Sequence, residues 1–169
     1  VADQVQALAG FLPSALARHA HARVVWRLIA RSGITSAECL GLLHAAGPVL
    51  ADIAVVVLGV NDVVDQVPSQ RAIAAREAIA NHLRNGHGVA HVVFAPLPPM
   101  HHFPGLPQPL RWVAGRDAKR HDEAVARWAA TRGDVSHLPI DLPLNVGVMA
   151  SDGFHPGEAV YRVCGTALA

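Results

Sequence analysis

An aspartate and a histidine stand three residues apart near the end of the chain, in Ser151-Asp152-Gly153-Phe154-His155-Pro156. An imidazole titrates near neutrality, so His155 can take a hydroxyl proton and later return it. Asp152 can accept from the other ring nitrogen and fix the tautomer. The neighbouring glycine and proline favour a loop. Taken alone, the spacing fits equally a loop in which Asp152 caps the last helix and His155 is merely exposed.

A second group is Gly59-Val60-Asn61-Asp62, at the end of an apolar run. A side-chain amide in that position can donate to a developing oxyanion without adding charge. Asn-Asp after a strand is also ordinary turn chemistry. Gly33 can bring a backbone N–H close to a ligand, since it carries no Cβ, or can serve only as a strand-to-helix turn. A base, its acidic partner and two oxyanion donors point to a serine-type hydrolase. The nucleophile is the missing part. Ser14, Ser32, Ser36, Ser69, Ser136 and Ser151 are present, and none follows Gly-Asp. Ser32 and Ser151 lie beside Gly33 and Asp152, but neither has the sharp strand-to-helix setting that exposes a nucleophile.

The elements that must position these residues alternate in type. Residues 5–20 are Ala/Leu-rich and predict a helix, with Pro13 opening a turn. The β-branched run 23–30 reads as a strand. Thr35 and Glu38 have capping-box spacing, which predicts a helix over 36–46 closed by Gly47-Pro48. The continuous apolar run 52–59 reads as a buried parallel strand. A helix follows from Ser69 to about Asn85, with Gly86 as terminator. Residues 89–95 form the next strand. Pro96, Pro98, Pro99, Pro104, Pro107 and Pro109 then impose a long loop of restricted shape. A helix over 110–132, a short strand over 134–138 and a final helix over 157–169 complete the chain. Trp112 and Trp128 fit helix-face packing. Strands alternating with helices imply an α/β fold, a three-layer α/β/α sandwich on a parallel sheet. In such sheets ligands bind at the carboxyl ends of the strands, where Gly33, Asn61, the Pro-rich loop and the Asp152/His155 loop all fall.

Composition narrows the classes. The chain has 169 residues, 51% hydrophobic and 16% charged, enough for one folded domain with a substantial core. A net charge of +1, with Lys119 the only lysine, gives no nucleic-acid surface. No apolar run approaches the roughly 20 residues that span a bilayer. Cys39 and Cys164 form no metal or redox motif. His87 and His91 straddle a loop and a strand, and no carboxylate or cysteine cluster joins His101-His102, so no metal site is expected. Gly86-His87-Gly88 is too short for a dinucleotide loop, and there is no P-loop, so no cofactor is expected. The Arg- and Ala-rich composition suggests a bacterial source. No signal-peptide pattern is present and the compartment is left open.

The motifs resemble those of the SGNH, or GDSL-like, hydrolase superfamily. Gly33 matches its second block, Gly59-Val60-Asn61-Asp62 its third, and Asp152-Gly153-Phe154-His155-Pro156 its fifth. Phe103-Pro104-Gly105-Leu106-Pro107 through Trp112 is similar to the Pro-rich segment of bacterial members. The resemblance covers nearly the whole chain. It implies a parallel, flavodoxin-like sheet and an acyl-transfer mechanism on a carboxylic ester, with His155 as base, Asp152 as its orienter, and Gly33 and Asn61 as the oxyanion hole. Val60, Met100, Phe103 and Phe154 are the candidates for substrate contact. The family's Gly-Asp-Ser block should precede the first helix. The expectation is therefore a single domain over 1–169 that lacks its N-terminal strand and nucleophile loop, with an upstream segment in the functional protein. Its partner would be a small-molecule ester. A non-catalytic binding domain and an inactive truncated fragment are the alternatives.

Overall fold

Parallel strands here are joined by helical crossovers, as the alternation of elements requires. The computed structural model describes residues 8–140, 148–150, 153 and 155–169. Three strands, β1 (Ile53–Val56), β2 (His91–Phe94) and β3 (Val135–His137), pair in parallel in the order β1-β2-β3. The register sets Val56 opposite Phe94 and Phe94 opposite His137. The helices are α1 (Leu8–Ala20), α2 (Ser36–Ala46), α3 (Val60–Val64), α4 (Ser69–His87), α5 (Leu110–Ala129) and α6 (Glu158–Ala167). Among the described residues, no helix is long and apolar enough to cross a membrane.

The contacts group into two compact units. The first comprises the described residues of Val1–Leu28, Pro99–Gly115 and Ile140–Ala169, and the second Ile29–Pro98 and Arg116–Pro139.

The second unit holds the sheet. Its core is Leu43 from α2; Ile79, Ala80 and Leu83 from α4; Val92 and Phe94 from β2; Val125 and Ala129 from α5; and Val135 from β3. The central strand is the driest part, with Val92 and Phe94 at 0% and 1% exposure. Each such side chain contributes about 1.5–3 kcal/mol by leaving water. Trp128 meets Phe94 edge-on at 5.5 Å, as its helix-face pattern implied. The start of β3 is clipped by Arg132, whose Nε and Nη2 donate to Asp134 at 2.9 and 2.7 Å, and by Arg84 Nη1 at 2.7 Å. The Arg132 fork, supported by Arg84, holds the Asp134 carboxyl far below the usual carboxylate range.

Helix α2 starts as its sequence demands. Thr35 caps it, and Glu38 reaches back to the Thr35 backbone N–H at 2.8 Å. Helix α4 runs past the expected stop at Gly86. Its true terminator is Gly88, in the left-handed region at φ +67°, with its N–H returned to Leu83 O. A single glycine inside a helix costs only about 1 kcal/mol, and packing outweighs it.

The strand expected over 23–30 is not formed. Those residues pair with no strand, and Val25, Trp26 and Leu28 are 82%, 49% and 48% exposed. β-branched composition records what suits a pleated surface and cannot supply a ladder partner.

In the first unit α1 packs on α6. They pack tightly at Gly165, where a Cβ would lie 2.7 Å from Phe11 Cβ and 3.0 Å from the Leu12 nitrogen. Pro13 sits inside α1. The Pro-rich loop turns through a short 3-10 segment, Met100–His102, and buries Met100, Phe103 and Leu106.

Candidate active site

Gly33 lies in an exposed turn just before α2, at φ +77°, a conformation that L side chains rarely adopt. Beyond it Ile34, Thr35 and Ser36 are all buried, so the turn leads straight into a fixed helix start.

Asn61 lies in α3, the five-residue helix that follows β1. The turn begins at Gly59, whose φ of +127° again demands glycine. A Cβ there would come within 2.7 Å of both Arg76 Nη2 and Leu97 Cδ1. The backbone is closed by Val63 N donating to Gly59 O at 3.1 Å, Asp65 N to Asn61 O at 2.9 Å and Val67 N to Asp62 O at 2.8 Å. Asn61 is half-buried, and among the described residues its side-chain amide makes no hydrogen bond. Val60 opens the same helix and is also half-buried.

Asp62 carries the contacts that Asn61 lacks. It is 1% exposed. Its Oδ1 accepts from Ser36 N at 2.8 Å, and its Oδ2 from Ser36 Oγ at 2.5 Å and Arg76 Nη2 at 3.1 Å. Arg76, on α4, is 1% exposed and also donates to Leu58 O at 3.4 Å. Burial pulls the Arg76 guanidinium down from its ordinary pKa, against the field of Asp62. Sequence reasoning quoted Asp62 only as part of a motif, without a role, and missed Arg76. A signal for Arg76 existed: it stands on the buried stripe Ala72, Arg76, Ile79, Ala80, Leu83, where α4 otherwise presents apolar groups.

The serines sort by these contacts. The Ser36 hydroxyl is buried and committed to Asp62. Ser14 Oγ donates to Gly10 O at 3.0 Å within α1. Ser136 Oγ lies 2.6 Å from His91 Nε2, a contact between neighbouring strands. Ser32 is exposed in the turn with Gly33.

His155 is exposed, in a loop held by main-chain bonds. Ala150 N donates to His155 O at 2.8 Å, Gly153 N to Ala150 O at 2.9 Å and Gly157 N to Val148 O at 2.8 Å. Met149 and Pro156 form an antiparallel bridge. Gly153, at φ +69°, ties this loop to the Pro-rich one by accepting from Gly105 N at 3.1 Å. Helix α6 takes Gly157 as its N-cap. Asp152, Phe154 and Ser151 lie outside the described residues. Met100 and Phe103, expected to line a substrate wall, are 2% and 3% exposed and face inward in the loop.

Two pairings thus stand within single units. The Gly33 turn is joined to the Asn61 turn through Ser36 and Asp62, and the His155 loop is joined to the Pro-rich loop through Gly153 and Gly105. Among the described residues, no group of three or more His, Cys, Asp or Glu side chains is arranged to hold a metal ion.

Three solved structures share this arrangement of helices and parallel strands. One is a provisionally named platelet activating factor from Streptococcus pneumonia, with a TM-score of 0.72 and 18% identity over 95% of this chain and 78% of the other. Another is Axe2, an acetylxylan esterase from Geobacillus stearothermophilus, with a TM-score of 0.67 and 16% identity over 95% and 78%. A third is a provisionally assigned lipolytic protein of the G-D-S-L family from Desulfitobacterium hafniense DCB-2, with a TM-score of 0.66 and 13% identity over 98% and 88%. The likeness shows the fold, the α/β/α sandwich on a parallel sheet. Comparison with curated proteins gave no match. The model of one sequence family, however, matches residues 2–163, and on that match the chain belongs to the GDSL-like lipase/acylhydrolase family.

Proposed function

We propose that this protein hydrolyses carboxylic esters through an acyl-enzyme intermediate, with His155 as general base. The observation that carries the reading is the family match over residues 2–163, together with an Asn61 amide that makes no hydrogen bond among the described residues, on a turn otherwise tied down. The reading takes 1–169 as one hydrolase domain that works with a serine nucleophile.

In this mechanism His155 accepts the serine hydroxyl proton as the oxygen adds to the ester carbonyl. Asp152 orients the ring. The carbonyl oxygen gains a full negative charge and accepts from the Gly33 N–H and the Asn61 side-chain amide. Collapse breaks the bond to the alcohol oxygen, which leaves with the proton from His155. Water then adds to the acyl-serine, with His155 again taking a proton, and the acid is released. Val60 and Phe154 are proposed to contact a small or medium acyl group.

The test is hydrolysis of p-nitrophenyl acetate and butyrate by the full-length protein. The wild type should turn over both, and His155→Ala should lose the activity. Unchanged turnover in that variant would refute the mechanism. A second reading, a non-catalytic binding domain on the same fold, is favoured by the lack of any Gly-Asp-Ser in the 169 residues. A serine-reactive fluorophosphonate separates the two, because labelling of folded protein supports the enzyme and a clean absence of labelling supports the binding domain.

A further inference from the structure

We propose that Asp62, seated on the Arg76 guanidinium, is a positioning residue that locks the Gly33 turn to the Asn61 turn and so sets the spacing of the two oxyanion donors. The inference rests on the oxyanion role proposed above for Gly33 and Asn61.

Three observations converge on it. The first is connectivity. Asp62 follows Asn61 directly, and its carboxylate holds both the backbone N–H and the hydroxyl of Ser36, at 2.8 and 2.5 Å. Ser36 opens α2, immediately after the Gly33 turn. Two short hydrogen bonds and a few covalent links are all that separates one donor from the other. The second is saturation. Both Asp62 oxygens are occupied, and Arg76 adds a charge-assisted bond from beneath at 3.1 Å. A carboxylate so held cannot pivot. The third is the floor of the turn. The space where a Gly59 Cβ would stand is filled at 2.7 Å by Arg76 Nη2 and by the Leu97 side chain, so the turn cannot sink toward α4.

A buried ion pair stabilises a fold little more than apolar packing of the same volume. Fixed geometry accounts for its presence better than stability does. Oxyanion donors act on charge that exists only in the transition state, so their spacing bears on kcat and hardly on substrate affinity.

The test uses Asp62→Asn and Ser36→Ala in the full-length protein. Asp62→Asn should lower kcat for p-nitrophenyl acetate about 10- to 100-fold with KM held within about two-fold, since a misplaced donor costs on that order. Ser36→Ala keeps the backbone bond and should fall between Asp62→Asn and wild type. Amide hydrogen exchange gives a readout independent of turnover. In Asp62→Asn, exchange should quicken at residues 36 and 61–67 while Val92 and Phe94 keep their protection. A wild-type kcat in Asp62→Asn, or a uniform loss of protection reaching β2, would overturn the proposal. A wild type that hydrolyses no ester removes the proposed function instead. The exchange pattern then decides the lock alone, local quickening supporting it and a uniform or absent change refuting it.

Discussion

Among the described residues, the contacts that hold the turn around Asn61 and those that hold the loop around His155 differ in kind. At Asn61 side chains reinforce the main-chain bonds of the turn: a buried carboxylate, a buried guanidinium and a serine hydroxyl from another helix. At His155 the described bonds include several main-chain ones and an antiparallel bridge, with the glycines making room for them. A Gly153 Cβ would stand 2.7 Å from the Gly105 nitrogen, and a Gly157 Cβ 2.6 Å from Val148 O. The contrast shows where each half is vulnerable. The first should be sensitive to removing a side chain at Asp62, the second to adding one at Gly153.

The largest effect is expected at the proposed general base. His155→Ala should reduce ester turnover about 10³-fold or more, while circular dichroism shows the protein still folded. Loss of folding along with activity would end the contrast. Asp62→Ala comes next. It leaves Arg76 buried without its charge partner, and equilibrium denaturation should show a loss of about 3–5 kcal/mol. Gly153→Ala tests the other half. It forces a φ of +69° on an L residue and crowds Gly105, so a loss of about 1–3 kcal/mol is expected, while Ala in place of the exposed Asp65 should be nearly silent in denaturation.

The smallest effect is a pH dependence away from both regions. The folded-state pKa of Asp134 is depressed, so its contribution is present in full above the ordinary carboxylate pKa near 3.9 and fades as pH falls toward the folded value. Asp134→Asn should therefore be less stable by about 1 kcal/mol near neutrality, with a shallower fall in melting temperature from pH 5 to pH 2.

Much of this architecture was legible because it rests on local chemistry. The capping box at Thr35 and Glu38 set the start of α2 to the residue. The apolar runs 52–59 and 89–95 pointed to two parallel strands in order, formed at Ile53–Val56 and His91–Phe94. Glycine at 33 and 59 was legible as type, and the structure supplies the reason in positive φ. What failed depends on partners distant in sequence. Residues 23–30 have strand composition and no ladder. Helix α3 is too short to show a period. The inward turn of Met100 and Phe103 follows from the shape of the Pro-rich loop, which prolines restrict without specifying. The Asp62–Arg76 contact joins different elements, and an isolated arginine in a charged helix reads as solvated unless its place on the buried stripe is noticed. Asp152, the expected partner of His155, lies outside the described residues.

Neither member of the Asp62–Arg76 pair is tolerable without the other, so the two positions should be inherited as a unit. A lineage that lost the arginine first would strand a carboxylate, and one that lost the aspartate first would strand a cation. Related chains should therefore carry both residues or replace both together, with Ser36 the freer of the three to drift. The same logic holds at the bench: Asp62→Leu combined with Arg76→Met should cost less stability than the sum of the two single changes.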